Sequence, residues 1–223
     1  MSAGSLLSIG TRAMFANYAA LQTTGHNIAN ANVEGYSRQR VELQTAQGEF
    51  TGAGFFGKGV DVATVSRAHD EFLTREAALS RSQAAADAAR AEQLSRLEAV
   101  FPPGEQGLGY VSGQLLNAMV ELASRPQDSA TREVVLQRAL ELAQRYAHAG
   151  EQIDTLQAGV AQDLAIGIEQ VNEIAQRIAL VNDQIASVNG SCQPPNDLLD
   201  ERDRLVAQLS ERVNVSTLAA GDG

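Results

Sequence analysis

Tryptophan is absent, and cysteine occurs once, at Cys192. A single thiol excludes an intramolecular disulfide framework and any multi-thiolate zinc or iron–sulfur centre. Aromatic residues are scarce at 4% (6 Phe and 4 Tyr), while hydrophobic residues reach 44%. The core must therefore come from Ala, Leu, Val and Ile, side chains that let helices approach closely. No run nears ~18 consecutive apolar residues, so no segment reads as a membrane-spanning helix. Met1 to Gly10 carries neither a basic region nor a long apolar stretch, so no cleavable secretory signal is expected. The 223 residues suffice for one ordinary domain with an appendage, or two small ones.

Positive charge is also thin, and its distribution is uneven. Residues 1–67 hold five Lys/Arg and four Asp/Glu, a net of +1, whereas 68–223 hold twelve and twenty-three, a net of −11. Over most of its length such a chain repels nucleic acid and anionic membrane surfaces, so neither is expected as a partner. The near-neutral head is instead rich in Asn, Gln, Ser, Thr and Gly.

Within that head, Leu7, Met14, Leu21 and Ile28 repeat every seven residues. This predicts a helix over 5–31 with a narrow seam suited to pairing with another helix. One helix of an ordinary bundle would show the same pattern. Asn27, Asn30, Asn32 and Gly35, followed by Tyr36, tolerate left-handed backbone and end the helix near 32–35. Alternation at period two predicts strands over 41–45 and 60–65. Glycines 48, 52, 54, 57 and 59 between them predict a flexible loop or hairpin.

A long helix is expected from Val65 to Phe101, with Val65, Phe72, Leu79 and Ala86 in heptad spacing and Pro102-Pro103-Gly104 ending it. A short helix should follow around 111–124. Asp128 or Ser129 can cap the next one, which extends to about 189. At ~1.5 Å per residue it would reach ~90 Å. Gly150, Gly159 and Gly167 each cost about 1 kcal/mol there, and a kink near Gly150 is expected. After a turn over 189–195, Asn196 is the candidate cap of a final helix carrying Leu198, Leu199, Leu205, Leu209 and Val213. Residues 214–218 read as a strand, and 221–223 have hairpin-turn composition.

Chemistry-bearing patterns are weak. Gly52-Ala-Gly54-Phe-Phe-Gly57 matches the dinucleotide fingerprint literally, but a strand-like run follows it where the phosphate site needs a helix. His26, His69 and His148 have no second ligand at helical spacing. Cys192 has no lysine or helix start nearby to lower its pKa. Leu198-Leu199-Asp200-Glu201-Arg202-Asp203-Arg204 reads as a solvated helix face with an i,i+4 pair between Asp200 and Arg204. No catalytic residue, cofactor site or metal site emerges, and no enzyme is expected.

The head from Gly10-Thr-Arg12 through Gln22-Thr-Thr24-Gly25-His26-Asn27-Ile28-Ala29-Asn30-Ala-Asn32-Val-Glu-Gly35-Tyr36-Ser37-Arg38-Gln39 closely resembles the N-terminal signature of bacterial flagellar axial proteins. Gly57-Lys-Gly59-Val60, Arg67-Ala-His-Asp70-Glu-Phe72-Leu73 and the Leu198–Leu205 run are similar to the hook-associated proteins of the hook–filament junction. The resemblance implies a mainly α fold with an N-terminal coiled-coil helix, an elongated antiparallel helical bundle, and short β segments around 41–65 and 214–218. It implies an axial segment over 1–64 and a helical-bundle domain over 65–223, incomplete at its C-terminal end. The chain would be the N-terminal part of a longer protein, lacking the family's C-terminal coiled-coil segment and outer β-rich domain.

As function, the resemblance implies a non-enzymatic structural subunit joining hook to filament. It would be exported by the type III route without a cleavable signal peptide and would reside outside the cell in the flagellum. Implied partners are other copies of itself, the hook protein, the second junction protein and an export chaperone. Leu7, Met14, Leu21 and Ile28 would face a partner helix, and Asn27, Asn30, Asn32, Gly35 and Tyr36 would shape the helix end at subunit contacts. Residues 1–60, without the natural mate of their helix, are expected to be mobile or captured by a neighbouring copy. A hook or rod protein is the alternative within the class, and a helical signalling or interaction module the alternative outside it.

Overall fold

The computed structural model describes residues 3–52, 54–188 and 193–218. Five helices dominate: α1 (Ala3–Ala29), α2 (Glu71–Val100), α3 (Leu108–Ser124), α4 (Ser129–Val188) and α5 (Asn196–Ser210). Strands β1 (Gln39–Thr45), β2 (Glu49–Thr51), β3 (Gly54–Phe56) and β4 (Val60–Arg67) lie between α1 and α2. The chain is mainly α. It divides into two compact units, one formed by 1–83 with 171–223 and the other by 84–170.

In the first unit, β1 and β4 pair antiparallel from Gln39↔Arg67 to Thr45↔Val60, with a bulge between Glu42 and Leu43. β2 and β3 pair as a hairpin inserted between them, Phe50 opposite Phe55. The Gly52–Gly57 motif therefore lies on a β-hairpin, not on a strand-to-helix turn. α1 packs across the β1–β4 ribbon. Its docked side is small or half-buried, with Ile9, Arg12, Ala13, Ala16, Ala19, Thr23, Asn27 and Asn30 at i,i+3/i+4 spacing and Ala16 buried. Gly59, at φ +89, sits against Ile9, where a Cβ would come 3.4 Å from Ile9 Cγ2. Arg12 on α1 forms an ion pair with Asp61 on β4. The head of the chain thus docks on a β-ribbon of the same molecule, by the side of α1 opposite Leu7, Met14, Leu21 and Ile28, which stay exposed.

The apolar centre of this unit is where α4 meets α5. Val181, Ile185 and the fully buried Leu205 form it, with Ile174, Ile178, Leu198 and Leu199 packed around them. Arg177 and Glu201 bridge the two helices at 3.1 Å. In the second unit, Val111 of α3 is buried. Arg145 of α4 donates to the Gln106 side-chain oxygen at 3.0 Å, fixing the turn over Gly104–Gln106 that precedes α3.

Several expected boundaries move for identifiable reasons. Val65 belongs to β4, and α2 starts only at Glu71. Asp70 is its cap, accepting from the amides of Phe72 and Leu73 at 2.9 and 3.1 Å. Asp128 caps α4 in the same way through Ala130 at 3.0 Å. α4 is one helix of 60 residues, running through all three of its glycines. Asn196 is not the side-chain cap of α5: Pro195 holds the cap position without a side-chain hydrogen bond. α5 ends at Ser210, short of Val213. Residues 214–218 form no strand, because a strand needs a ladder partner and none lies beside them among the described residues. The expected turn over 189–195 is described only from Gln193 onward. Cys192 and the 221–223 turn lie outside the described residues.

Candidate assembly face and its anchor

α1 has two sides of different character. One docks on the ribbon. On the other, Leu7, Met14, Leu21 and Ile28 are each more than 70% exposed, with Phe15 and Tyr18 exposed beside them. Arg12 and His26 are the only basic residues of α1, and it carries no acid. The result is a long, nearly uncharged apolar stripe. Leu7, Met14, Leu21 and Ile28 recur along it every seven residues, with Thr11, Tyr18 and Gly25 one turn on from the first three.

Beyond Ala29 the chain turns back through a hydrogen-bonded loop. The Asn30 amide N–H and its Nδ2 both donate to the His26 carbonyl, each at 3.0 Å. Val33 N–H then reaches the Asn30 carbonyl at 2.9 Å, and Tyr36 N–H the Val33 carbonyl at 3.2 Å. Gly35 takes φ +81, and Asn32 is exposed on the loop surface.

Asn27 locks this return. Its Nδ2 donates to the Gln39 carbonyl at 2.8 Å, its Oδ1 accepts the Gln39 N–H at 2.8 Å, and the same oxygen accepts the Tyr36 hydroxyl at 2.9 Å. The side-chain amide thereby imitates a neighbouring strand at the first residue of β1. Of the five residues expected to shape the helix end, Asn27, Asn30, Gly35 and Tyr36 come together in this turn, and Asn32 stands aside. Burial, then the negative charges of Asp200 and Asp197, pushes the Tyr36 hydroxyl above the usual tyrosine range.

Those two aspartates belong to α5, whose charged run does not behave as a solvated face. Asp200 is buried. One of its oxygens accepts the Ser37 N–H at 3.0 Å, and the other accepts Arg67 Nη1 at 2.9 Å. The same Arg67 nitrogen reaches Asp203 at 2.6 Å, and His69 Nδ1 lies 3.5 Å from that carboxylate. Asn196 Nδ2 donates to the Val65 carbonyl at 2.7 Å, and Gln193 Oε1 accepts the Val65 N–H at 3.1 Å. Gln39 Nε2 reaches Asp197 at 3.3 Å. The expected Asp200–Arg204 pair is not formed. Arg204 pairs with Glu201 instead, holding that carboxyl below the usual range.

Sequence reading missed Ser37, Arg67, Asn196, Asp200 and Asp203 as a group. The available signal was the spacing of Asn196, Asp200 and Asp203 at i, i+4 and i+7, a polar stripe on one side of α5. Among the described residues, no three His, Cys, Asp or Glu side chains gather as a metal site, and no helix is long and apolar enough to cross a membrane.

Comparison with known proteins agrees with this architecture. Residues 94–223 match the model of the flagellar hook-associated protein FlgK helical domain, and residues 7–36 match that of the flagella basal body rod protein. The chain is 32% identical to flagellar hook-associated protein 1 of Bacillus subtilis over 94% of its own length and 43% of that protein's. It is 28% identical to flagellar hook-associated protein 1 of Escherichia coli and 30% identical to that of Salmonella typhimurium, in each case over 98% of this chain and 40% of the relative. It thus spans less than half the length of the curated relatives it matches. With the helical-domain match extending over more than half of its residues, the chain belongs to the flagellar hook-associated protein FlgK family.

Proposed function

We propose that the chain is the N-terminal part of a structural, non-catalytic subunit that joins hook to filament at the hook–filament junction. Residues 1–64 would act as its axial segment and 65–223 as its helical bundle. The subunit assembles through coiled-coil packing on the open stripe of α1, and Leu7, Met14, Leu21 and Ile28 are the residues that meet a partner helix. Asn27, Asn30, Asn32, Gly35 and Tyr36 shape the turn that presents the stripe. Its partners are other copies of itself, the hook protein, the second junction protein and an export chaperone. It works outside the cell, in the flagellum, after type III export without a cleavable signal peptide.

The observation that carries this reading is the double-sided α1. The helix is already docked on its own ribbon, yet it leaves its heptad seam uncovered and uncharged. A hook or rod protein is less well supported, since the rod-protein match covers only 7–36 while the helical-domain match runs over 94–223. The test replaces Met14 and Leu21 by Gln in the full-length protein of a flagellated cell. Hooks without filaments, with the variant still secreted, are the expected result. Filaments in normal number would overturn the proposal.

A further inference from the structure

α5 presents two different sides to the rest of the first unit. Leu198, Leu199 and Leu205 pack toward Val181 and Ile185 of α4. Asn196, Asp200 and Asp203, one turn apart in succession, meet the open end of the β1–β4 ribbon instead. On that side the contacts are hydrogen bonds, and they end on the Val65 carbonyl, the Ser37 N–H and the Arg67 guanidinium, atoms of the ribbon or its entry. Arg67 and Asp200 have side chains only 10% and 9% exposed.

Apolar packing tolerates sliding, because its energy changes slowly with small displacements. A buried carboxylate that accepts one backbone N–H and one guanidinium N–H does not, since hydrogen bonds weaken steeply with misalignment. Buried ion pairs are poor sources of net stability, and their best-attested use is to set register. The ribbon in turn carries α1, through Arg12–Asp61, Gly59–Ile9 and the Asn27 clamp. Orientation therefore passes from α5 to the ribbon to the apolar stripe.

We infer that Asp200, with Asp203 sharing its hold on Arg67, is the positioning residue of the assembly face: it sets the direction in which α1 presents its stripe relative to α5. Asp200 touches no partner in this role; it acts through Ser37 and Arg67. The inference deepens the assembly proposal, but its test is made on the unassembled chain, so the two can fail separately.

The experiment uses the whole chain with Cys192 replaced by Ser and spin labels at Thr24→Cys and Glu211→Cys, both exposed positions. Inter-label distances are measured by pulsed electron resonance, and amide exchange at Ser37 is followed in parallel. The parent should give one narrow distribution. Asp200→Asn, of equal size, should at least double its width and speed Ser37 exchange tenfold or more, with helical circular dichroism unchanged. Arg67→Lys, which keeps the charge but ends its donor nitrogen one bond short of the arginine Nη1 that meets both carboxylates, should broaden it similarly. The double variant should be no wider than the broader single. An Asp200→Asn distribution as narrow as the parent's would overturn the inference. So would loss of the α5 helix in both Asp200→Asn and Arg67→Lys, since that would make the network a folding requirement and not a positioning one.

Discussion

Gly35 turns over the stem of Arg204: at φ +81, a Cβ built on it would come 3.0 Å from the Arg204 Cβ and 3.3 Å from its Cγ. Two independent costs meet at this position. Any L-residue is strained at this φ, and the stem it would touch belongs to a side chain already tied to Glu201. Gly35→Ala is therefore expected to destabilise the first unit by about 1–3 kcal/mol, read as a lower urea midpoint and faster amide exchange over 36–39. Gly25→Ala is the counterpart. It lies within helical α1 with nothing within 4 Å of the added Cβ, so it should be neutral or stabilise by about 0.5–1 kcal/mol.

Asn27→Ala removes one side chain and leaves three groups short of a partner, the Gln39 N–H, the Gln39 carbonyl and the Tyr36 hydroxyl. Unpaired polar groups in a half-buried turn cost about 1–3 kcal/mol each where water cannot reach them. A loss of about 2 kcal/mol overall is expected, with the Gln39 amide losing protection first. Asn27→Asp should fall between the two, since a carboxylate still accepts both donors but cannot serve the Gln39 carbonyl. Equal stability of Asn27→Ala and the parent would show the clamp to be dispensable.

Two groups should shape the pH dependence of stability at opposite ends. Glu201 is held below the usual carboxylate range, first by the hydrogen bond from Arg204. Its contribution is complete above the unfolded value near ~4.3 and is lost as pH falls through the lower folded value. Tyr36 lies above its usual range, chiefly through burial. Its contribution is complete below the unfolded value near ~10 and is lost as pH rises toward the higher folded one, because the unfolded chain ionises first. Glu201→Gln should flatten the acid limb alone, and Tyr36→Phe the alkaline limb alone, in unfolding midpoints followed from pH 3 to 11.

The seven-residue period of Leu7, Met14, Leu21 and Ile28 was legible, but one helix of an ordinary bundle would carry the same period, and only the structure shows that these four side chains stay exposed. The residues that dock α1 were not, since Ala13, Ala16 and Ala19 look like mere spacers until a ribbon lies against them. Val65 could be counted in two periodicities, and the strand prevailed because Asp70 supplies a cap that starts α2 six residues later. Asp200 was misread for a deeper reason. Acids and arginines alternating on a short helix have an obvious local solution, and only the tertiary approach of Arg67 and Ser37, more than 130 residues away, makes the other one cheaper. Non-local polar pairing leaves no period in a sequence.

The two sides of α1 should separate by mutation. Replacing Leu7, Met14, Leu21 and Ile28 by Gln keeps helix propensity nearly constant and touches only exposed positions, so each change should alter unfolding free energy by no more than about 0.5 kcal/mol. Ala16, on the docked side, is 3% exposed. Ala16→Leu forces added methylenes between helix and ribbon and should cost about 1–3 kcal/mol. In sedimentation velocity at rising concentration, the parent should show self-association through the stripe and the four-Gln variant should remain monomeric. Ala16→Leu should keep associating as long as α1 stays helical. If the Gln substitutions instead lower the urea midpoint as much as Ala16→Leu does, then the stripe is covered within the single chain in solution and cannot be a face reserved for a partner.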